Sequence, residues 1–200
     1  MPCQEVFCEF YFFLIFLFST LLSTIGFAEA EISHELGYPN LSAITCEDYN
    51  DRNCLKSQSI RLLHEIAGDD LKAFFGLTPE IQIIAYKTAS AFAIKETHIF
   101  ISNKLFKKVQ DPRLIAFVLL HEIAHLKLHK NSNKLAFTGN HDLTFDPRLH
   151  HEIEADMFAC ELLSQGLNQA ENCAIFMEKL ALKLGNNQSL KQRAKILRDR

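Results

Sequence analysis

Apolar positions recur at helical spacing from Leu55 to Phe75 (Ile60, Leu63, Ala67, Leu71, Phe74), interrupted at Gly68 and closed by Gly76. Ahead of them, residues 31–54 are polar and punctuated by Gly37, Pro39, Asn40, Asn50 and Asn53, and read as an irregular lead-in. Two β-branched or aromatic runs, Ile81 to Tyr86 and Thr97 to Ile101, read as strands, with Ser90-Ala91-Phe92-Ala93 extended or turning between them. Asp111 and Pro112 supply an N-cap and first helical residue for a helix continuing from Ile115 to Lys130. Polar positions then dominate from Asn131 to His150, a length that inside a domain is as a rule functional or mobile. A helix from about Leu149 to Gln165 ends at Gly166, Asn168 with Glu171 opens another that stops at Gly185, and Ser189 caps a last basic helix. Helices, a small sheet, then helices make an α+β domain.

The front of the chain follows a different pattern. Phe10 to Ala28 contains no charged residue, about the ~18–20 positions that span a bilayer, and Ala28-Glu29-Ala30 is a signal-peptidase-like site. Residues 1–30 are therefore a signal peptide, an uncleaved membrane anchor through residues 10–28, or a buried core helix; residues 31–200 form the domain. Either of the first two exports the domain. The cysteines fit export: Cys46, Cys54, Cys160 and Cys173 form an even set beyond the apolar run, open to two disulfides, with Cys46–Cys54 closing a short ring and Cys160–Cys173 stapling consecutive helices, or to four buried thiols. Overall, 48% apolar and 22% charged residues exclude a disordered chain, and a net charge of −3 offers no basic surface for nucleic acid.

The chemistry sits in His121-Glu122-Ile123-Ala124-His125, an H-E-x-x-H pattern. Two His four apart on a helix point the same way and can bind one Zn²⁺, with Glu122 beside it as a general base for water. The stripe Leu114, Val118, His121, His125, Leu128 places the ligands on the apolar face of that helix. His64-Glu65-Ile66-Ala67 repeats the first letters but has Gly68 where the second His would stand, so it reads as a solvated helix face. A catalytic zinc needs a third protein ligand and an open position. Glu152 and Asp156, four apart on the next long helix, are the best candidates: Glu152 as ligand, Asp156 accepting the outer ring N–H of a liganding His. Glu154 points elsewhere. His129 reads as structural, exposed or supporting the ligands, while Arg148, His141, His150 and His151 read as loop residues, one of which could face an oxyanion.

The segment Asp111 to Lys130, followed by His151-Glu-Ile-Glu-Ala-Asp-Met-Phe-Ala-Cys160, resembles the M48 family of gluzincin metallopeptidases. Ser90-Ala91-Phe92-Ala93 and the strand to Ile101 are similar to that family's Asn-Ala-Phe-Ala segment and the strand after it. The resemblance runs from about Ile81 to Arg198. It implies a mainly helical zincin-like metallopeptidase domain with its small sheet beside the H-E-x-x-H helix. It also implies zinc ligands His121, His125 and Glu152, Glu122 as catalytic acid/base, Asp156 as supporting carboxylate, and one Zn²⁺ per chain. Three features depart from the family: Ser90 replaces Asn, Asn186-Asn187-Gln188 stands where Thr-His-Pro is frequent, and at most one membrane span is present.

The expected activity is zinc-dependent endopeptidase action on unfolded or envelope polypeptide, with Thr97 to Ile101 accepting substrate as an added strand. The expected location is the periplasm or cell envelope. The rival is a non-catalytic, zinc-stabilised binding or chaperone-like envelope module, against which Glu122 stands because structural zinc does not require it. A metal-free, membrane-anchored assembly factor would leave His121, His125 and Glu152 unexplained.

Overall fold

A computed structural model describes residues 41–94, 97–129, 147–164 and 169–199 of the 200. The apolar run 10–28, the polar stretch 131–146, Gly166 and Asn168 lie outside the described residues. Asp51 opens α1 (Arg52–Ala67) by accepting from the Asn53 and Cys54 amides. Gly68, at φ 76° and ψ −165°, ends it in a conformation that side chains resist. A short α2 (Leu71–Phe75), capped by Asp70, leads to β1 (Glu80–Ile84), β2 (Ala91–Ile94) and β3 (His98–Ser102). The other helices are α3 (Asn103–Val109), α4 (Pro112–Leu128), α5 (Pro147–Leu163), α6 (Gln169–Lys183) and α7 (Gln188–Arg198). The result is mostly helical with one three-stranded mixed sheet, the α+β class that the sequence pattern implies. Among the described residues no helix is long and apolar enough to cross a membrane.

The sheet order is β1-β3-β2, with β1 parallel and β2 antiparallel to β3. Ala91-Phe92-Ala93-Ile94, read above as extended or turning, is thus a full strand in register with His98 to Ile101. The central place of β3 corrects the expectation that Thr97 to Ile101 is an edge open to substrate. Both of its sides are paired, and among the described residues the edge strands are β1 and β2. Ser102 fixes this corner: its buried hydroxyl accepts from the Ser90 and Leu105 amides, and its own amide donates to the Ser90 carbonyl. It therefore starts β2, ends β3 and caps α3 at once.

Helix α4 starts as its sequence implies, with Asp111 accepting from the Arg113 amide and Pro112 in the first turn. From Leu114 to Ala124 every residue is buried. A helix apolar nearly all round belongs in the interior, not at a surface with one apolar face. The single-stripe reading is corrected accordingly: α4 is the central helix, packed against α5, α1 and β2, and Leu128 at its end is exposed. Any polar group in its middle must find its partners within the protein.

Two disulfides form among the described residues. Cys46–Cys54 ties the lead-in to the first turn of α1, and Cys160–Cys173 joins α5 to α6. They close sequence separations of 8 and 13 residues, for which loop-closure entropy gives about 2.5–3 kcal/mol each. The second matters most for function, because it anchors the helix that carries Glu152 and Asp156. Oxidising compartments keep such bonds.

Candidate metal centre

Helix α4 and helix α5 run against each other and point polar side chains into their shared seam. His121 and His125 come from adjacent turns of α4, so their rings meet edge to face with centroids 4.7 Å apart. Their Nε2 atoms lie 3.1 Å from each other. From α5, Glu152 presents one oxygen 3.3 Å from His125 Nε2 and the other 3.6 Å from His121 Nε2. Tetrahedral zinc with bonds of about 2.0–2.1 Å holds its donors about 3.4 Å apart. The two imidazole nitrogens and the nearer carboxylate oxygen of each contact lie within a few tenths of an ångström of that value, the 3.3 and 3.6 Å contacts coming from different oxygens of Glu152. The donor set therefore fits a single zinc ion, a test made on geometry and ligand type alone.

The surroundings of these donors are strongly charged. Asp156, wholly buried, sets Oδ1 at 2.9 Å from His121 Nδ1 and Oδ2 at 3.1 Å from Arg193 Nε. A buried carboxylate needs such partners, and the His121 contact also fixes which ring nitrogen faces Glu152. Burial pulls the His121 imidazole down, but hydrogen bonds to Asp156 and Glu152 and the charges of Asp156 and Glu122 outweigh it and raise it to about 9. Metal ligation at His121 would therefore displace a tightly held proton. Burial works to raise Glu152 as well, yet hydrogen bonds from His121 and His125 and the charge of Arg193 hold it far below the usual carboxylate range.

Glu122 behaves in the opposite way. It is buried on α4 between the two His, and burial pushes its carboxyl above the ordinary range despite the opposing charges of His121 and His125. The backbone amide of Ala93 in β2 lies near enough to favour the charged form of Glu122 and works against the burial. A carboxyl group raised by burial holds a proton more readily than an exposed one, which suits a group that takes and gives back a proton.

Arg193, on α7, went unread in the sequence, where the last helix registered only as basic. Its guanidinium donates from Nη1 to Glu152 and forms an ion pair with Asp156, Nε lying 3.1 Å from Oδ2, so it faces both acidic residues of α5. The signal was present: Leu190, Arg193, Ala194 and Leu197 form the buried stripe of α7, and an Arg on an apolar stripe requires a buried partner. His129, His150 and His151 gather instead around Glu154, one turn further along the same seam. His64 bonds the Gly68 carbonyl at the end of α1, and Glu65 pairs with Arg61, so both serve local structure. His141 lies outside the described residues.

A mainly helical α+β domain thus converges two imidazoles and a carboxylate in a seam, with a second acid buried beside them. The family model of Peptidase U49 matches residues 89–194, which run from the start of β2 to just past Arg193. The chain belongs to this peptidase family, and every residue of the centre lies within the match. No curated protein matches the chain.

Proposed function

We propose that this peptidase is a zinc-dependent endopeptidase of the gluzincin type, arranged as the M48 resemblance implies. The observation that carries the reading is the convergence of one donor atom each from His121, His125 and Glu152, with the raised Glu122 carboxyl next to them. In this reading His121, His125 and Glu152 hold one zinc ion. An ion held there would supply Lewis-acid polarisation of the scissile carbonyl and of the attacking water. Glu122 accepts the proton of the attacking water and passes it to the departing amine. Asp156 orients His121, and Arg193 helps keep Glu152 ionised while pairing with both acids.

Substrate enters along β2. That strand is an edge, it packs against α4, and its Ala93 amide reaches Glu122. Phe92 and Ile94 are exposed on it. An extended polypeptide could add to this edge by main-chain pairing, which favours unfolded or flexible segments over folded proteins.

Casein cleavage by the chelator-stripped chain tests the reading. Cleavage should vanish on stripping and return with one equivalent of zinc. Cleavage that is indifferent to chelation would refute the proposal; tight zinc without any cleavage would favour the binding-module rival.

A further inference from the structure

The seam between α4 and α5 contains a second set of donors. His129 closes α4, with its amide bonded to the His125 carbonyl, and lies one turn beyond His125. Facing it from α5 are His151 and Glu154, three residues apart and therefore on one face. The His129 and His151 rings stack with centroids 4.1 Å apart. Glu154 Oε2 is 3.8 Å from His129 Nε2, and its other oxygen is 3.1 Å from His150 Nε2. One donor atom from each of His129, His151 and Glu154 lies within 4.8 Å of the others. None of the three is among the donors of the first centre.

We infer that His129, His151 and Glu154 form a second, separate site for a divalent transition-metal ion. Two imidazoles and one carboxylate select zinc, nickel or copper over magnesium or calcium, which prefer all-oxygen shells. The site differs from the first in its supports. Glu152 is gripped by Arg193 and its neighbour Asp156 is fully buried, whereas Glu154 is 44% exposed and meets only imidazoles in its ion pairs among the described residues. Less preorganised donors that are open to water bind more weakly. The second ion should therefore load after the first and exchange faster. Because His125 and His129 sit on consecutive turns, with ring centroids 5.4 Å apart, the two ions would be neighbours in one seam. The expected total is two ions per chain, not the single zinc that the sequence resemblance implies.

Equilibrium dialysis of the untagged, chelator-stripped full chain against zinc chloride, read by elemental analysis, tests this. Wild type should take up two zinc ions in two steps, the second in the micromolar range. Glu154→Gln and His151→Ala, checked for folding by circular dichroism, should each remove the weaker step and keep the tighter one. Glu152→Gln should do the reverse. A wild type saturating at one zinc that survives Glu154→Gln would overturn the second site and leave the proposed function standing. One zinc lost in Glu154→Gln but kept in Glu152→Gln would support the second site and overturn the first assignment. A second step seen only at millimolar zinc, or unchanged in both Glu154→Gln and His151→Ala, would mean scattered surface binding and overturn the inference.

Discussion

Glu122→Gln should abolish casein cleavage while the protein keeps its tight zinc. Glutamine is close in size to glutamate and keeps a carbonyl oxygen toward the Ala93 amide, so α4 and β2 should stay in place. What is lost is the ability to take a proton. A general base contributes about 10²–10⁴-fold, and the loss of cleavage should reach at least that range. The substitution also removes one acid from an interior where burial already raises its carboxyl, so stability should hold or rise slightly. Zinc content and melting temperature measured on the same sample separate this outcome from misfolding. A variant that cleaves at a tenth of the wild-type rate or better would remove Glu122 from the proposed mechanism.

Glu152→Gln should lose both the tight zinc and the cleavage. The neutral amide offers one weak oxygen in place of a carboxylate that faces both His121 and His125. It also leaves the Arg193 guanidinium with only Asp156 as an acidic partner in the seam. The expected result is a folded, inactive chain whose zinc affinity has fallen by much more than the ~10–100-fold of an outer-partner change. Glu154→Gln, two residues on and turned to the other cluster, should keep the tight zinc. If the two variants exchange these results, the pairing of α5 with α4 is misassigned.

How far the sequence revealed this centre depends on the range of each signal. His121, Glu122 and His125 were readable because their spacing alone puts them on adjacent turns of one helix. Glu152 and Asp156 came from their own four-residue spacing, and the structure brings both to the α4 side of α5. The sequence could not show what lies behind them. Arg193 arrives from 41 positions away in sequence, and nothing local on α7 says which acids it meets. The cysteine set left two bridges or four thiols open, and the bridges that form are the two its local spacing suggests, Cys46–Cys54 and Cys160–Cys173.

The elements show the same division. Asp111-Pro112 marked the start of α4 correctly because capping is local. The start of α7 was misread by two residues. Gly185 and Asn186 take positive φ, so the chain turns early and the Asn187 side chain, not Ser189, accepts the Leu190 amide. Helix α3 is hard to see in the sequence because Lys104, Lys107 and Lys108 give it a charged face, yet Leu105, Phe106 and Val109 anchor it in the core. The order of the strands was also out of reach. It takes the pairing of β3 with both neighbours to make β2 the edge beside Glu122.

The account rests on one ion held by three side chains, and an anomalous difference map collected at the zinc absorption edge from crystals of the zinc-loaded chain tests that directly. The strongest peak should lie about 2.0–2.1 Å from His121 Nε2, His125 Nε2 and a Glu152 oxygen. A map with no peak there, or with its strongest peak at His129, His151 and Glu154, would contradict it.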